Sequence, residues 1–187
     1  HTQDVKQVHF HQRLPLLISV SYDDTMKVWV EDGDDWFCAG TMQSHTSTVW
    51  DLAVAPHNFA GLGEVLVTVS DDSSLILWRH DEEESGEGRS IWRRIQRIAL
   101  GSSRPILSAD WAASDHSGLA TAGSDNAIRV FREAKALSAP RGVLALDVEV
   151  LEAHDGDVNC VRWHPNDASL LASVGDDGAL KLWRYKQ

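Results

Sequence analysis

Apolar positions along this chain come in short runs that alternate with polar ones. Four pairs of runs stand out: 16–21 with 26–30, 65–70 with 75–78, 119–123 with 128–131, and 170–175 with 180–183. The members of each pair are separated by an acidic tight-turn sequence, YDDT, DDSS, SDNA or DDGA, which predicts a hairpin. A further alternating run precedes each hairpin: Val5, Val8, Phe10; Val49, Leu52, Val54; Ile106, Ala109, Trp111; and Val158, Val161, Trp163. Another apolar segment follows the first three hairpins, at 36–42, 91–100 and 146–151. The pattern predicts an all-β chain built from units of up to four strands, with no long amphipathic helix.

The units also repeat in polar chemistry. The last strand of each hairpin ends in Trp29, Trp78, Phe131 or Trp183. An acid stands six residues earlier, at Asp23, Asp72, Asp125 and Asp177, and a hydroxyl ten residues earlier, at Ser19, Thr68, Thr121 and Ser173. A histidine opens three of the units, at His1, His45 and His154, whereas Ser102 stands at that place in the third. Self-similarity with a period of roughly 45–55 residues is the mark of a repeat architecture. It divides a single domain, 1–187, into units at approximately 1–43, 44–100, 101–152 and 153–187.

The stretches SVSYDDTMKVW, TVSDDSSLILW, TAGSDNAIRVF and SVGDDGALKLW resemble the WD40 repeat, the blade of a β-propeller. In that family the His, Ser/Thr, Asp and Trp of one blade form a hydrogen-bonded tetrad. The resemblance implies three such tetrads: His1, Ser19, Asp23, Trp29; His45, Thr68, Asp72, Trp78; and His154, Ser173, Asp177, Trp183. A buried indole N–H needs an acceptor and a turn carboxylate needs donors, and one network serves both. The third unit lacks both ends, with Ser102 for His and Phe131 for Trp, so packing is expected to hold it.

Composition narrows the function classes. Seventeen Lys and Arg against 28 Asp and Glu leave a net charge of −11, which disfavours a nucleic-acid backbone as partner. No apolar run approaches a membrane span. Two cysteines, Cys38 and Cys160, make neither a disulfide framework nor a four-ligand zinc site, and on apolar strands they read as ordinary buried thiols in a reducing, cytoplasmic setting. His9 and His11 alternate on one strand and His164 repeats the place of His11, which reads as a solvated strand end rather than a metal site. A recurring Ser, His and Asp with Trp in the same set is a structural repeat; a catalytic triad occurs once, beside an oxyanion site. No catalytic residue, metal or cofactor is assigned. The acidic runs 31–35 and 81–84 and the segment 133–142 read as surface loops.

Finer matches, DDWFCAGT, HTSTVWDLA, LATAGSDNAIRVF and HDGDVNCVRWHP, are similar to the later blades of the WD40 proteins of cytosolic iron–sulfur protein assembly. That resemblance implies a non-enzymatic scaffold, cytoplasmic with the nucleus as a second compartment. It would dock a MIP18-type protein, a HEAT-repeat subunit and client apoproteins. A generic WD40 adaptor in ubiquitin ligation or chromatin work is the alternative. The family ring has about seven blades, so four blades here leave a last blade without its outer strand and two apolar faces. The N-terminal blades, as a separate segment or chain, or a second copy of the arc, are expected to cover them.

Repeat position places Thr2, Asp4, Thr46, Thr48, Ser103, Pro105, Asp155 and Asp157 on the face that propellers use for partners, joined by the residues before each turn acid, Tyr22, Asp71, Ser124 and Asp176. Trp50 and Arg104 stand out as anchors, because aromatics and Arg dominate hot spots. Trp50 equally suits packing between blades, and Arg104 suits a partner's carboxylate or an ordinary surface ion pair.

Overall fold

The computed structural model describes residues 1–85, 88–113, 118–135 and 139–186. Its strands form four antiparallel sheets, each strand paired with its neighbour in sequence. The first sheet holds β1 (Val5–Phe10), β2 (Leu16–Ser21), β3 (Thr25–Asp32) and β4 (Asp35–Gln43). The second holds β5 (Val49–Val54), β6 (Val65–Ser70), β7 (Ser74–His80) and β8 (Trp92–Ala99). The third holds β9 (Ile106–Trp111), β10 (Leu119–Gly123), β11 (Ile128–Glu133) and β12 (Leu144–Val150). The fourth has β13 (Val158–His164), β14 (Asp167–Gly175) and β15 (Leu180–Arg184), and β15 is its edge. Of the loop read at 133–142, residues 136–138 lie outside the described residues.

Alternation along each strand decides which sheet packs on which. In the second sheet Leu52, Leu66, Ile76 and Trp78 point one way and join Ile18, Val20, Met26 and Val28 of the first sheet in one buried cluster. Val67, Val69, Leu75 and Leu77 point the other way and join Ile106, Ala109, Leu119 and Phe131 of the third. Ala120, Ala122, Ile128 and Val130 then meet Val158, Val161, Trp163 and Leu171 of the fourth. Each sheet therefore lays the face bearing its Trp or Phe against the back of the sheet before it. β1, β5, β9 and β13 pack in succession along the inside. The chain is an arc of four propeller blades.

The arc ends on two unpaired faces. On the first sheet Val5, Val8 and Phe10 are 53%, 54% and 67% exposed. On the last, Leu180 and Leu182 are 66% and 65% exposed. Both sets sit where the inner sheets carry their packed residues, so these blades do not close on themselves.

Polar side chains link one blade to the next along the inside. Asp51 accepts from Gln7 Nε2 at 3.2 Å on one side and from Ser108 Oγ and Ala109 N at 3.2 and 3.0 Å on the other. Ser108 Oγ in turn accepts from Val161 N at 3.3 Å, and Asp110 accepts from Trp163 N at 2.6 Å. Burial pushes the Asp110 carboxyl up to about 6, against the pull of that N–H and of Arg162.

Two readings of single residues are corrected. Cys38 is exposed on β4, 3.6 Å from Thr41 Oγ1, because this outer strand has no blade packed on that face. His11 is not on a solvated strand end: β1 stops at Phe10 and the imidazole is buried, with Nδ1 accepting from Arg13 N and Leu14 N at 3.3 and 3.1 Å. Its Nε2 lies 3.4 Å from Glu64, a buried carboxylate that also takes Arg13 Nε at 2.9 Å and His57 Nδ1 at 3.0 Å. This group joins the first blade to the second.

The pH dependence of that joint follows from its charges. Hydrogen bonds from Arg13 outweigh burial and lower Glu64 to about 2, so its contribution is complete above its ordinary 4.5 and is lost as pH falls toward 2. Burial lowers His11 to about 4, so its neutral form favours the fold and that share is lost as pH falls from 6.5 to 4. Denaturant unfolding should show Glu64→Gln less stable by about 1.5–3 kcal/mol at neutral pH. The variant should also lose less stability than the parent below the ordinary carboxylate range. Equal acid sensitivity in both proteins would contradict the assignment.

Candidate functional site

Three blades carry the same hydrogen-bonded set, built by the same local geometry. A hairpin turn places an acid beside the loop that enters the inner strand of the same blade, and the residue after the acid is left-handed in every blade: Asp24, Ser73, Asn126 and Gly178, at φ 64°, 59°, 62° and 73°. Short polar residues and Gly tolerate that region best. In the second blade His45 Nδ1 lies 3.0 Å from Asp72, His45 Nε2 lies 2.8 Å from Thr68 Oγ1, and Trp78 Nε1 donates to the same hydroxyl at 2.9 Å. In the fourth, His154 reaches Asp177 at 2.9 Å and Ser173 at 2.7 Å, and Trp183 donates to Ser173 at 2.8 Å. In the first, His1 reaches Asp23 at 3.0 Å and Ser19 at 2.7 Å, and Trp29 donates to Ser19 at 2.9 Å. The carboxylate takes the Nδ1–H, so Nε2 accepts the hydroxyl proton while the hydroxyl oxygen accepts the indole N–H.

The turn acids collect further donors. Burial alone would raise the Asp72 carboxyl, but hydrogen bonds from His45, Ser74 and Thr46 N hold it well below the usual range. His154 and the N–H groups of Ala179 and Asp155 hold Asp177 low likewise.

The third blade solves the problem differently. Phe131 is 1% exposed and packs in the core, and among the described residues the buried Thr121 Oγ1 has no hydrogen-bond partner. Asp125 is held instead by Arg129, a buried cation 2.7 Å away that also donates to Glu149 at 2.7 Å. Packing is thus not the whole account of this blade: an ion pair replaces the imidazole. Arg129 lies on β11 directly opposite Thr121.

The residues expected on the partner face fall into local groups. In every blade the pairing of the inner strand slips by one residue, leaving Lys6, Trp50, Leu107 and Asn159 as bulges. The slip is pinned by one backbone bond at 2.9 Å, from Tyr22 N to Asp4 O, Asp71 N to Thr48 O, Ser124 N to Pro105 O and Asp176 N to Asp157 O. A bulge re-aims its side chain. Lys6 Nζ lies 5.1 Å from the Tyr22 ring centre and 5.3 Å from that of Trp50. Trp50 Nε1 is 3.5 Å from Asp71, which also accepts from Ser47 Oγ at 3.1 Å. Asn159 donates to Asp176 at 2.5 Å.

Arg104 donates to the Ser124 carbonyl at 3.0 Å and stands 3.9 Å from Asp157, with its side chain 61% exposed. Asp155 is exposed beside His154, and its N–H donates to Asp177 at 3.2 Å. Tyr22, Trp50 and Asp71 therefore form one group with Lys6. Arg104, Ser124 and Asp157 form a second, and Asp176 with Asn159 a third.

The hydroxyls of the tetrads have no reacting partner to meet. Ser19, Thr68 and Ser173 are 4%, 0% and 2% exposed, each capped by an indole. Among the described residues, no group of three or more His, Cys, Asp or Glu could hold a metal.

The repeated sheets and tetrads define a β-propeller repeat protein. The family described as WD domain, G-beta repeat matches residues 1–30, 36–79 and 147–184, together more than half of the chain, and the chain belongs to that family. Strands β9 to β11 of the third sheet fall between the matched stretches, where Ser102 and Phe131 depart from the repeat. Among curated relatives, the "Probable cytosolic iron-sulfur protein assembly protein Ciao1" of Aedes aegypti is 36% identical over 87% of this chain and 48% of its own length. The CIAO1 homolog of Chlamydomonas reinhardtii is 37% identical over 81% of this chain and 47% of its own. The CIAO1 of Bos taurus is 40% identical over 51% of this chain and 28% of its own. The chain spans about half the length of the first two.

The contrast between blades yields a paired test. Thr68→Val would orphan Trp78 Nε1 and His45 Nε2 and should cost about 1–3 kcal/mol in chemical denaturation. Thr121→Val removes a buried hydroxyl that bonds to nothing and should be neutral or stabilising by up to about 1 kcal/mol. Similar losses in both variants would contradict the assigned networks.

Proposed function

We propose that this chain forms part of a non-enzymatic docking scaffold in cytosolic iron–sulfur protein assembly. Relatives named as probable cytosolic iron-sulfur protein assembly proteins align over more than four-fifths of the chain, and this observation carries the reading. The enclosed, repeated Ser–His–Asp sets favour cohesion over catalysis. The setting is the cytosol, with the nucleus as a second compartment, and the partners are a MIP18-type protein, a HEAT-repeat subunit and client apoproteins. Docking uses the bulge face: Tyr22, Trp50 and Asp71 as one contact, Arg104, Ser124 and Asp157 as another, and Asp155 with Asp176 at the last blade.

The arc is part of a larger ring. The relatives' extra length, the exposed apolar faces of the first and last sheets and the unpaired edge at β15 support closure by further blades from the same protein. Each unit of the sequence, 1–43, 44–100, 101–152 and 153–187, then contributes one blade.

Affinity purification of the tagged protein from its own cytosol should recover the MIP18-type and HEAT-repeat partners. Trp50→Ala and Arg104→Glu should each reduce that recovery with the melting temperature little changed. Recovery of a ubiquitin ligase or chromatin complex instead would replace this reading. A stable monodisperse monomer of these 187 residues in gel filtration would contradict ring completion.

A further inference from the structure

A cavity of about 540 Å³ lies where the inner strands β1, β5, β9 and β13 end, at the opposite end of these strands from the bulge face. One part of its wall is apolar, formed by Val54, Pro56, Trp111 and Pro165. The other part is polar: Gln12, Arg162, Trp163 and His164 line it with His9, and among the described residues Asp110 is the one acid in the lining. Trp163 is 6% exposed and, among the described residues, neither its Nε1–H nor the buried Nε2 of His9 has a hydrogen-bond partner. Every hydrogen bond of the Arg162 side chain, to Ser108 Oγ, Ala109 O and Val161 O, runs through Nη1. Half of that guanidinium fork is uncommitted, and the side chain is 46% exposed. His164 Nδ1 accepts from Asn166 N at 3.2 Å, which leaves its Nε2 as the free nitrogen.

Among the described residues the acids nearby absorb these donors only in part: Asp51 lies 3.6 Å from Nη1 of Arg162, which leaves the other end of the fork. Asp51 is occupied by Gln7, Ser108 and two backbone N–H groups, and Glu64 by Arg13 and His57. Asp110 already accepts from Trp163 N. Buried donors without acceptors cost free energy until an acceptor arrives. Cavities of this size with few convergent polar groups and an apolar wall are suited to small ligands.

We propose that this cavity is a binding site for a carboxylate on a short aliphatic stem. The oxygens would take Arg162, His164 and the Trp163 Nε1–H, and the methylenes would lie on Val54, Pro56 and Trp111. A glutamate side chain of a partner segment and a free dicarboxylate share this chemistry. The site is on the opposite face from the proposed docking rim, so its failure leaves the co-purification result untouched.

Isothermal titration of the intact protein with glutarate, with an acetylated and amidated Glu-Glu peptide, and with neutral glutaramide tests it. Saturable binding of glutarate or the peptide, without binding of glutaramide, is expected. Arg162→Gln should weaken it about tenfold, the worth of a charge-assisted bond. His164→Ala, on an exposed side chain, should weaken it about threefold and keeps the test decisive should the first variant not fold. A peptide bound more tightly than glutarate assigns the site to a protein segment, and equal or weaker binding assigns it to a free dicarboxylate. Absence of saturation with both carboxylate probes, equal binding of glutaramide, or unchanged affinity in His164→Ala overturns the proposal.

Discussion

In three of the four blades one buried hydroxyl carries the architecture. Ser19, Thr68 and Ser173 each accept an indole N–H from the third strand and give their proton to an imidazole from the entering loop. The imidazole then ties that loop to the turn acid. Two strands, one loop and one turn are thereby fixed to a single oxygen inside a low-dielectric sheet, where an unmet polar group is costly. The third blade shows what happens when the ends of this chain of bonds are lost. Phe131 keeps the packing, Arg129 takes over the acid, and Thr121 is left with an idle hydroxyl.

From that unit the arc follows. A sheet with an apolar face on each side can only be stable inside a stack, so each blade depends on the one before it and the one after. The clusters between successive sheets are apolar toward the middle, while Gln7, Asp51, Ser108 and Asp110 bridge the inner strands with directed bonds. At the first and last sheets the same faces are bare. Function then resides on the rims of a rigid stack, where loops and bulges vary without disturbing the sheets.

Much of this was legible in the sequence because it is periodic. The columns of Ser/Thr, Asp and Trp, and the strand alternation, come from a period of two and a fixed turn, and both are visible in one dimension. The arrangement of Lys6 and Asn159 was not, because a one-residue slip in pairing turns an inward position outward and nothing in the alternation marks it. Arg129 was passed over although Lys27 and Lys181 hold the equivalent place in the first and fourth blades, because Ile76 interrupts that basic column and a cation there reads as a solvated strand residue. His11 was misread because the strand stops one residue before it, and its burial comes with the Arg13–Glu64 pair, whose acid lies in the next blade. The donor-lined cavity joins side chains from different blades, which no local pattern records.

The central claim is that the polar quartet binds the first, second and fourth blades together. Its most direct measure is hydrogen exchange of the indole N–H protons, followed by NMR. Trp78 and Trp183 should keep theirs far longer than the exposed Trp36, because each donates to a buried hydroxyl. Exchange of Trp78 and Trp183 as fast as that of Trp36 would contradict the account.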